Sequence, residues 1–138
     1  MKPKCLVGLD LPPDVIGPLR ARYEVMAWPK TQGFSEPLMK DWLRNARGLL
    51  CALSTPITAS VIEYAEQLDV ISTVSVGVDH IDLVAATRAG IPVGHTPGVL
   101  VGSTADLTLG LMLAVTRRMA EADRWMRDGK WKHGWQSD

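Results

Sequence analysis

Gly48-Leu49-Leu50-Cys51-Ala52-Leu53 is an unbroken apolar run of strand length that ends at Ser54-Thr55-Pro56. A strand with one wet face alternates polar and apolar residues, whereas a strand without alternation is buried on both faces. That condition holds inside a parallel sheet covered by helices on either side. The flanking sequence supplies the other elements. Lys4–Leu9 predicts a first strand, Pro12–Ala21 a helix and Tyr23–Ala27 a second strand. A polar loop over Lys30–Ser35 leads to a helix over Glu36–Ala46. Thr58 is placed to cap a helix reaching Gln67, and Val70–Val74 predicts a fourth strand. Asp82 is placed to cap a helix that Gly90 stops, and Pro92-Val93-Gly94 opens a short fifth strand. The expected fold class is α/β: a flavodoxin-like, doubly wound parallel sheet over residues 1–96.

The chain then changes character. Thr96–Gly102 sets a proline and two glycines among apolar residues, and 97–102 reads as a hinge. Ser103-Thr104-Ala105-Asp106 matches a capping box, a hydroxyl followed three residues later by a carboxylate. The helix beyond it, to Arg118, is apolar nearly all round: Leu107, Leu109, Leu111, Met112, Leu113 and Val115. Such a helix needs cover on every side, so a second domain or a second subunit is expected to supply it. A further helix, Ala120–Asp128, stops at Gly129, and the tail carries Trp131 and Trp135. Tryptophans in a polar tail read as a contact surface. Residues 103–138 are thus expected to form an interdomain or self-association segment.

Composition removes several function classes. Lys+Arg and Asp+Glu are 15 each, for a formal net charge of zero, with no basic block. That argues against nucleic acid and against a polybasic membrane patch. The apolar run at the amino end is too short for a signal peptide, and Leu107–Val115 is too short to span a bilayer. Cys5 and Cys51 sit in apolar strand-like runs and read as buried thiols, which suits a reducing cytoplasm. His80, His95 and His133 share no ligand spacing, so no metal is expected. His80 beside Asp79 reads as a loop or helix-orienting pair before a general base, and His95 as structural.

Ligands of open parallel sheets bind beyond the carboxyl ends of the strands. Two loops qualify: Leu53-Ser54-Thr55 after the third strand and Ser75-Val76-Gly77 after the fourth. Gly77 lets a ligand approach the backbone closely. Two adjacent N–H groups aimed at a carboxylate make charge-assisted bonds of about 1.5–3 kcal/mol each. Gly77 equally serves to permit the strand-to-helix turn, and the spacing leaves both readings open. No Gly-x-Gly-x-x-Gly, P-loop, Gly-x-Ser-x-Gly or His-Glu-x-x-His occurs.

Several segments, in order, carry a family resemblance: Ile71-Ser72-Thr73-Val74-Ser75-Val76-Gly77-Val78-Asp79-His80-Ile81-Asp82, Gly90-Ile91, Thr96-Pro97-x-Val99-Leu100, Thr104-Ala105-Asp106-Leu107 and Arg127-x-Gly129-x-Trp131. Together they resemble the amino-terminal part of D-isomer-specific 2-hydroxyacid dehydrogenases, nearest in flavour to glyoxylate/hydroxypyruvate reductase. The resemblance implies a two-domain reductase of small 2-oxo acids that uses NAD or NADP, with these residues on its substrate side. It implies that backbone N–H groups at Val76 and Gly77, beside Ser75, hold the substrate carboxylate, and that Leu53 and Ser54 line the same cleft. It places Thr104 at the start of an interdomain helix passing near the nicotinamide. It likens the Trp131–Trp135 arm to a segment that reaches across a dimer, with Trp135 at the neighbouring subunit's site. The family's glycine fingerprint and its arginine, glutamate and histidine would follow later. Residues 1–138 are therefore expected to be a piece of such a reductase, inactive alone and without bound cofactor. The alternative is a stand-alone, non-catalytic domain that binds a small carboxylate or oligomerises.

Overall fold

The computed structural model describes residues 1–28 and 35–134. Most of the expected Lys30–Ser35 loop, and Trp135, lie outside the described residues. The chain divides into two compact units, Met1–Pro97 and Gly98–Asp138.

The first unit alternates strand and helix: β1 (Lys4–Val7), α1 (Pro13–Arg22), β2 (Glu24–Ala27), α2 (Glu36–Leu43), β3 (Ala46–Cys51), α3 (Ala59–Tyr64), β4 (Val70–Thr73), α4 (Leu83–Arg88) and β5 (Val93–Gly94). All neighbouring strands pair parallel, in the order β2-β1-β3-β4-β5. This is the flavodoxin-like order. Right-handed crossovers fix the helix layers. The step from β1 to β2 runs one way along the sheet, and every later step runs the other way. Accordingly α1 packs on one face and α2, α3 and α4 on the other. The core records this split. Leu6 joins Met39, Leu43, Leu49, Val61, Ile71 and Ala86 on the three-helix face. Its chain neighbours Cys5 and Val7 join Ile16 of α1 on the opposite face. That is the two-residue period of a strand.

β3, between β1 and β4, is the strand that the unbroken apolar run foretold, with Leu49 and Cys51 buried. It starts earlier than expected, because Ala46 is buried and pairs with Lys4, and α2 ends at Leu43. Thr58 caps α3 by accepting from the Val61 N–H at 3.3 Å. That helix stops at Tyr64 rather than Gln67. Ala65 leaves helical geometry (φ −88°, ψ 61°), and it and Leu68 are buried in the core. Asp82 caps α4 by accepting from Ala85 N–H at 2.9 Å, and Gly90 ends it in the left-handed region (φ 71°). Both cysteines are free and buried, and burial raises their thiol pKa values.

The second unit is α5 (Val101–Thr116) and α6 (Met119–Arg127), joined through Arg118 in the left-handed region (φ 52°). The expected capping box does not form. α5 starts at Val101, inside the segment read as a hinge, so Ser103 already lies in the first turn. Its hydroxyl donates back to the Leu100 carbonyl at 3.1 Å instead of accepting a helix N–H. The turn at Gly98 (φ 77°) lets the chain enter the helix there. Neither α5 nor α6 buries a residue.

Asp82→Ala removes the α4 cap and is expected to cost about 1 kcal/mol of stability. Urea unfolding measures it, and an unchanged midpoint contradicts the capping role.

Candidate functional site

The carboxyl ends of β1, β3 and β4 lie at one edge of the parallel sheet. Gly8, just after β1, donates its N–H to the Leu50 carbonyl at 2.7 Å. A Cβ on Gly8 would lie 3.5 Å from that oxygen and 3.7 Å from Thr55 Oγ1. These are ordinary contact distances, and the strand order puts Gly8 at the β1/β3 switch point of the sheet. Sequence reasoning passed over Gly8 because a lone glycine after a strand carries no distinguishing spacing.

After β3 the chain turns at Ala52, whose carbonyl accepts from Thr55 N–H at 2.9 Å. The turn leaves Leu53 and Ser54 exposed and Thr55 buried. The loop after β4 is tied to the segment that follows. Ile57 N–H donates to His80 O at 2.7 Å, and Asp82 N–H donates to Ile57 O at 2.9 Å. The segments that follow the two predicted loops are thus joined by a parallel bridge between Ile57 and Ile81.

In Ser75-Val76-Gly77 every carbonyl is engaged. Ser75 O accepts from Thr96 N–H at 2.9 Å. Val76 O lies 2.9 Å from His95 Nδ1, which must donate, since a carbonyl only accepts. Gly77 O accepts from the Ser75 hydroxyl at 2.7 Å. A trans peptide is planar, and its C=O and following N–H point in opposite directions. Three carbonyls held by protein donors therefore turn the N–H groups of Val76, Gly77 and Val78 away from those donors. Among the described residues nothing accepts from these three N–H groups. Val76 itself is exposed.

The predicted residues divide by role. Val76 and Gly77 offer backbone N–H groups. Ser75 is buried, and its hydroxyl is engaged by Gly77 O and Thr73, so its side chain braces the loop from behind. Thr104 belongs to the second unit, where it lies exposed in the first turn of α5. Asp79 opposes an anion here: its Oδ2 would lie 3.1 Å from a Cβ on Gly77. His80 does not join Asp79 in a catalytic pair. Its Nε2 lies 2.9 Å from Thr73 Oγ1 and 3.9 Å from Cys51 Sγ. Thr73 was missed because an interior threonine of a β-rich run reads simply as a strand residue.

His80 Nδ1 is buried and has no hydrogen-bond partner among the described residues. Protonation would put an N–H there with no acceptor. Burial lowers the His80 pKa below its ordinary 6.5, against an opposing pull from Asp79. The unfolded chain then binds more protons than the folded one below pH 6.5. Stability is therefore lost as pH falls through that window, and His80 contributes no slope above it. Glu36 and Glu121 have pKa values below the ordinary 4.5, so their losses come at lower pH. His80→Gln is expected to flatten the fall in stability just below pH 6.5. Urea unfolding across that range checks this, and an unaltered slope contradicts it.

Residues 6–128 match the family described as D-isomer specific 2-hydroxyacid dehydrogenase, catalytic domain. The chain is 42% identical over 139 residues to the glyoxylate reductase of Thermofilum pendens, covering 97% of this chain and 40% of that relative. The glyoxylate reductase of Thermococcus onnurineus is 37% identical, with 96% and 40% covered. The crystal structure of a Thermus thermophilus protein aligns with a TM-score of 0.83 at 41% identity, over 98% of this chain and 43% of that one. The NADPH-dependent glyoxylate/hydroxypyruvate reductase of Sinorhizobium meliloti, solved with NADP and malonate, aligns with a TM-score of 0.76 at 26% identity. It is covered to 40%, and this chain to 95%. The chain spans about 40% of the length of the curated relatives it matches. With the match running from β1 to the end of α6, the chain belongs to the D-isomer-specific 2-hydroxyacid dehydrogenases.

Proposed function

We propose that this chain forms the substrate side of an NAD(P)H-dependent reductase of small 2-oxo acids, of the glyoxylate or hydroxypyruvate kind. In this reading the N–H groups of Val76 and Gly77 hold the substrate carboxylate, and the exposed Leu53 and Ser54 form the adjoining wall. The observation that carries it is the loop after β4, whose carbonyls are held by protein donors and whose N–H groups have no protein acceptor among the described residues. The glyoxylate reductases among its relatives, and the neighbour solved with the small dicarboxylate malonate, support the same substrate class.

NAD(P) would supply the hydride to the 2-oxo carbon. The residues present do not make its site. They contain no Gly-x-Gly-x-x-Gly, and Thr104 stands on an exposed helix turn. The chemistry derived from these 138 residues is therefore carboxylate binding and orientation. Alone, they are expected not to oxidise NADH in the presence of glyoxylate.

Glyoxylate added to the labelled chain is expected to shift the Val76 and Gly77 amide resonances, with roughly millimolar affinity, because two charge-assisted bonds must outweigh the nearby Asp79 charge. Gly77→Val is expected to abolish binding and keep the fold. Gly77 has no positive φ, and an added Cβ meets only the side-chain end of exposed Asp79. Binding unchanged in the variant, or turnover by the purified chain, contradicts the proposal.

Self-association through residues 103–138 is a second part of the proposal. It is supported by α5, where Leu107, Leu109, Leu111, Met112, Leu113 and Val115 are all exposed. Trp125 and Trp131 stack edge to face at 6.0 Å and are also exposed. Sedimentation is expected to show concentration-dependent association that Leu109→Lys with Leu113→Lys abolishes. A monomer at all concentrations contradicts it.

A further inference from the structure

We infer that His80 is a positioning residue for the Val76–Gly77 loop, acting through a one-way relay of hydrogen bonds from its ring through Thr73 and Ser75 to the Gly77 carbonyl. The relay stands on geometry alone, whereas its value for substrate rests on the carboxylate-binding reading above.

The direction follows from proton counting, starting at the end that cannot donate. Gly77 O only accepts, so the single proton of the Ser75 hydroxyl is committed to it at 2.7 Å. Ser75 Oγ lies 2.8 Å from Thr73 Oγ1 and must therefore accept there. That takes the only hydroxyl proton of Thr73. Thr73 Oγ1 must then accept from His80 Nε2, 2.9 Å away, so Nε2 carries the ring proton. The neutral ring has one proton to place, and Nδ1 is left bare. Nδ1 is also the buried atom with no partner among the described residues. The opposite tautomer would bury an N–H there without an acceptor and leave two lone pairs facing each other across the 2.9 Å contact. Cys51 Sγ lies 3.9 Å from Nε2 and also reaches Thr73, but a thiol is a weak partner beside the hydroxyl and ring contacts of 2.8 and 2.9 Å.

Thr73 is 1% and Ser75 5% exposed, so water cannot readily replace a lost member of the chain. The relay holds the Gly77 carbonyl inward, while His95 and Thr96 hold the two carbonyls before it. Without His80, Thr73 regains a free choice of donor direction. The Ser75 hydroxyl can then turn to Thr73 in place of Gly77, which loosens the loop's last peptide plane.

Long-range proton–nitrogen NMR of the 138-residue chain reads the tautomer, and amide relaxation reads loop order. The expected ring is protonated at Nε2. His80→Leu and Thr73→Val are each expected to loosen the Val76–Val78 amides and to weaken glyoxylate binding about tenfold, the effect of leaving one buried partner unmet. His80→Gln places an amide donor along the same path and is expected to restore loop order and affinity to within about threefold. An Nδ1-protonated ring overturns the inference. So does wild-type loop order in a folded His80→Leu or Thr73→Val variant. If the loop loosens as expected but the wild-type chain binds no glyoxylate, the carboxylate reading fails and the positioning role stands.

Discussion

The buried hydroxyl of Thr73 has one proton to give and stands between two partners. Its commitment to Ser75 orders the carboxyl end of β4 and the loop beyond. It joins a strand residue to a loop residue and to His80, which shortly precedes the α4 cap. The sheet carries β4 to that point, with β3 and β5 on either side. The edges of the loop are then closed by donors from the residues after β5, namely His95 and Thr96. Backbone carbonyls are taken up by these contacts, and backbone N–H groups are what is left over. A site made of main-chain donors depends on this kind of bracing, because a peptide plane has no side chain to lock its orientation.

Much of the fold was legible because its strongest signals are local. An apolar run without alternation means burial on both faces, and the alternation of such runs with helices leaves a parallel sheet. Thr58, Asp82 and Gly90 act at their predicted positions because capping and left-handed turns depend on a few neighbouring residues. Errors arose where tertiary burial overrode local preference. Ala65 leaves the helix to reach the core, and Ala46 joins a strand instead of ending a helix. Ser103 failed as a cap because the backbone entered the helix before it, at Val101. The candidate loop was legible from its place after a strand and from Gly77. Its bracing was not, since Thr73 and His80 lie seven residues apart across a turn whose shape no spacing rule specifies.

The second unit illustrates a different limit. Its apolar helix was identified as needing cover, and within the structure neither of its helices buries a residue. A helix of this kind loses about 25 cal/mol for each Å² of apolar surface left in water. That cost makes α5 a candidate for association, while the candidate loop belongs wholly to the first unit. Family membership connects the two, but the carboxylate-binding account depends only on residues before Gly98.

The most direct measurement is a structure of the chain with oxalate or glyoxylate bound. The account requires a carboxylate oxygen at about 3 Å from the N–H nitrogens of Val76 and Gly77, with the Ser75 and Val76 carbonyls still held by Thr96 and His95. A carboxylate seated instead at the Gly8 end of β1, or a Ser75–Gly77 loop whose N–H groups are satisfied by the protein itself, would contradict it.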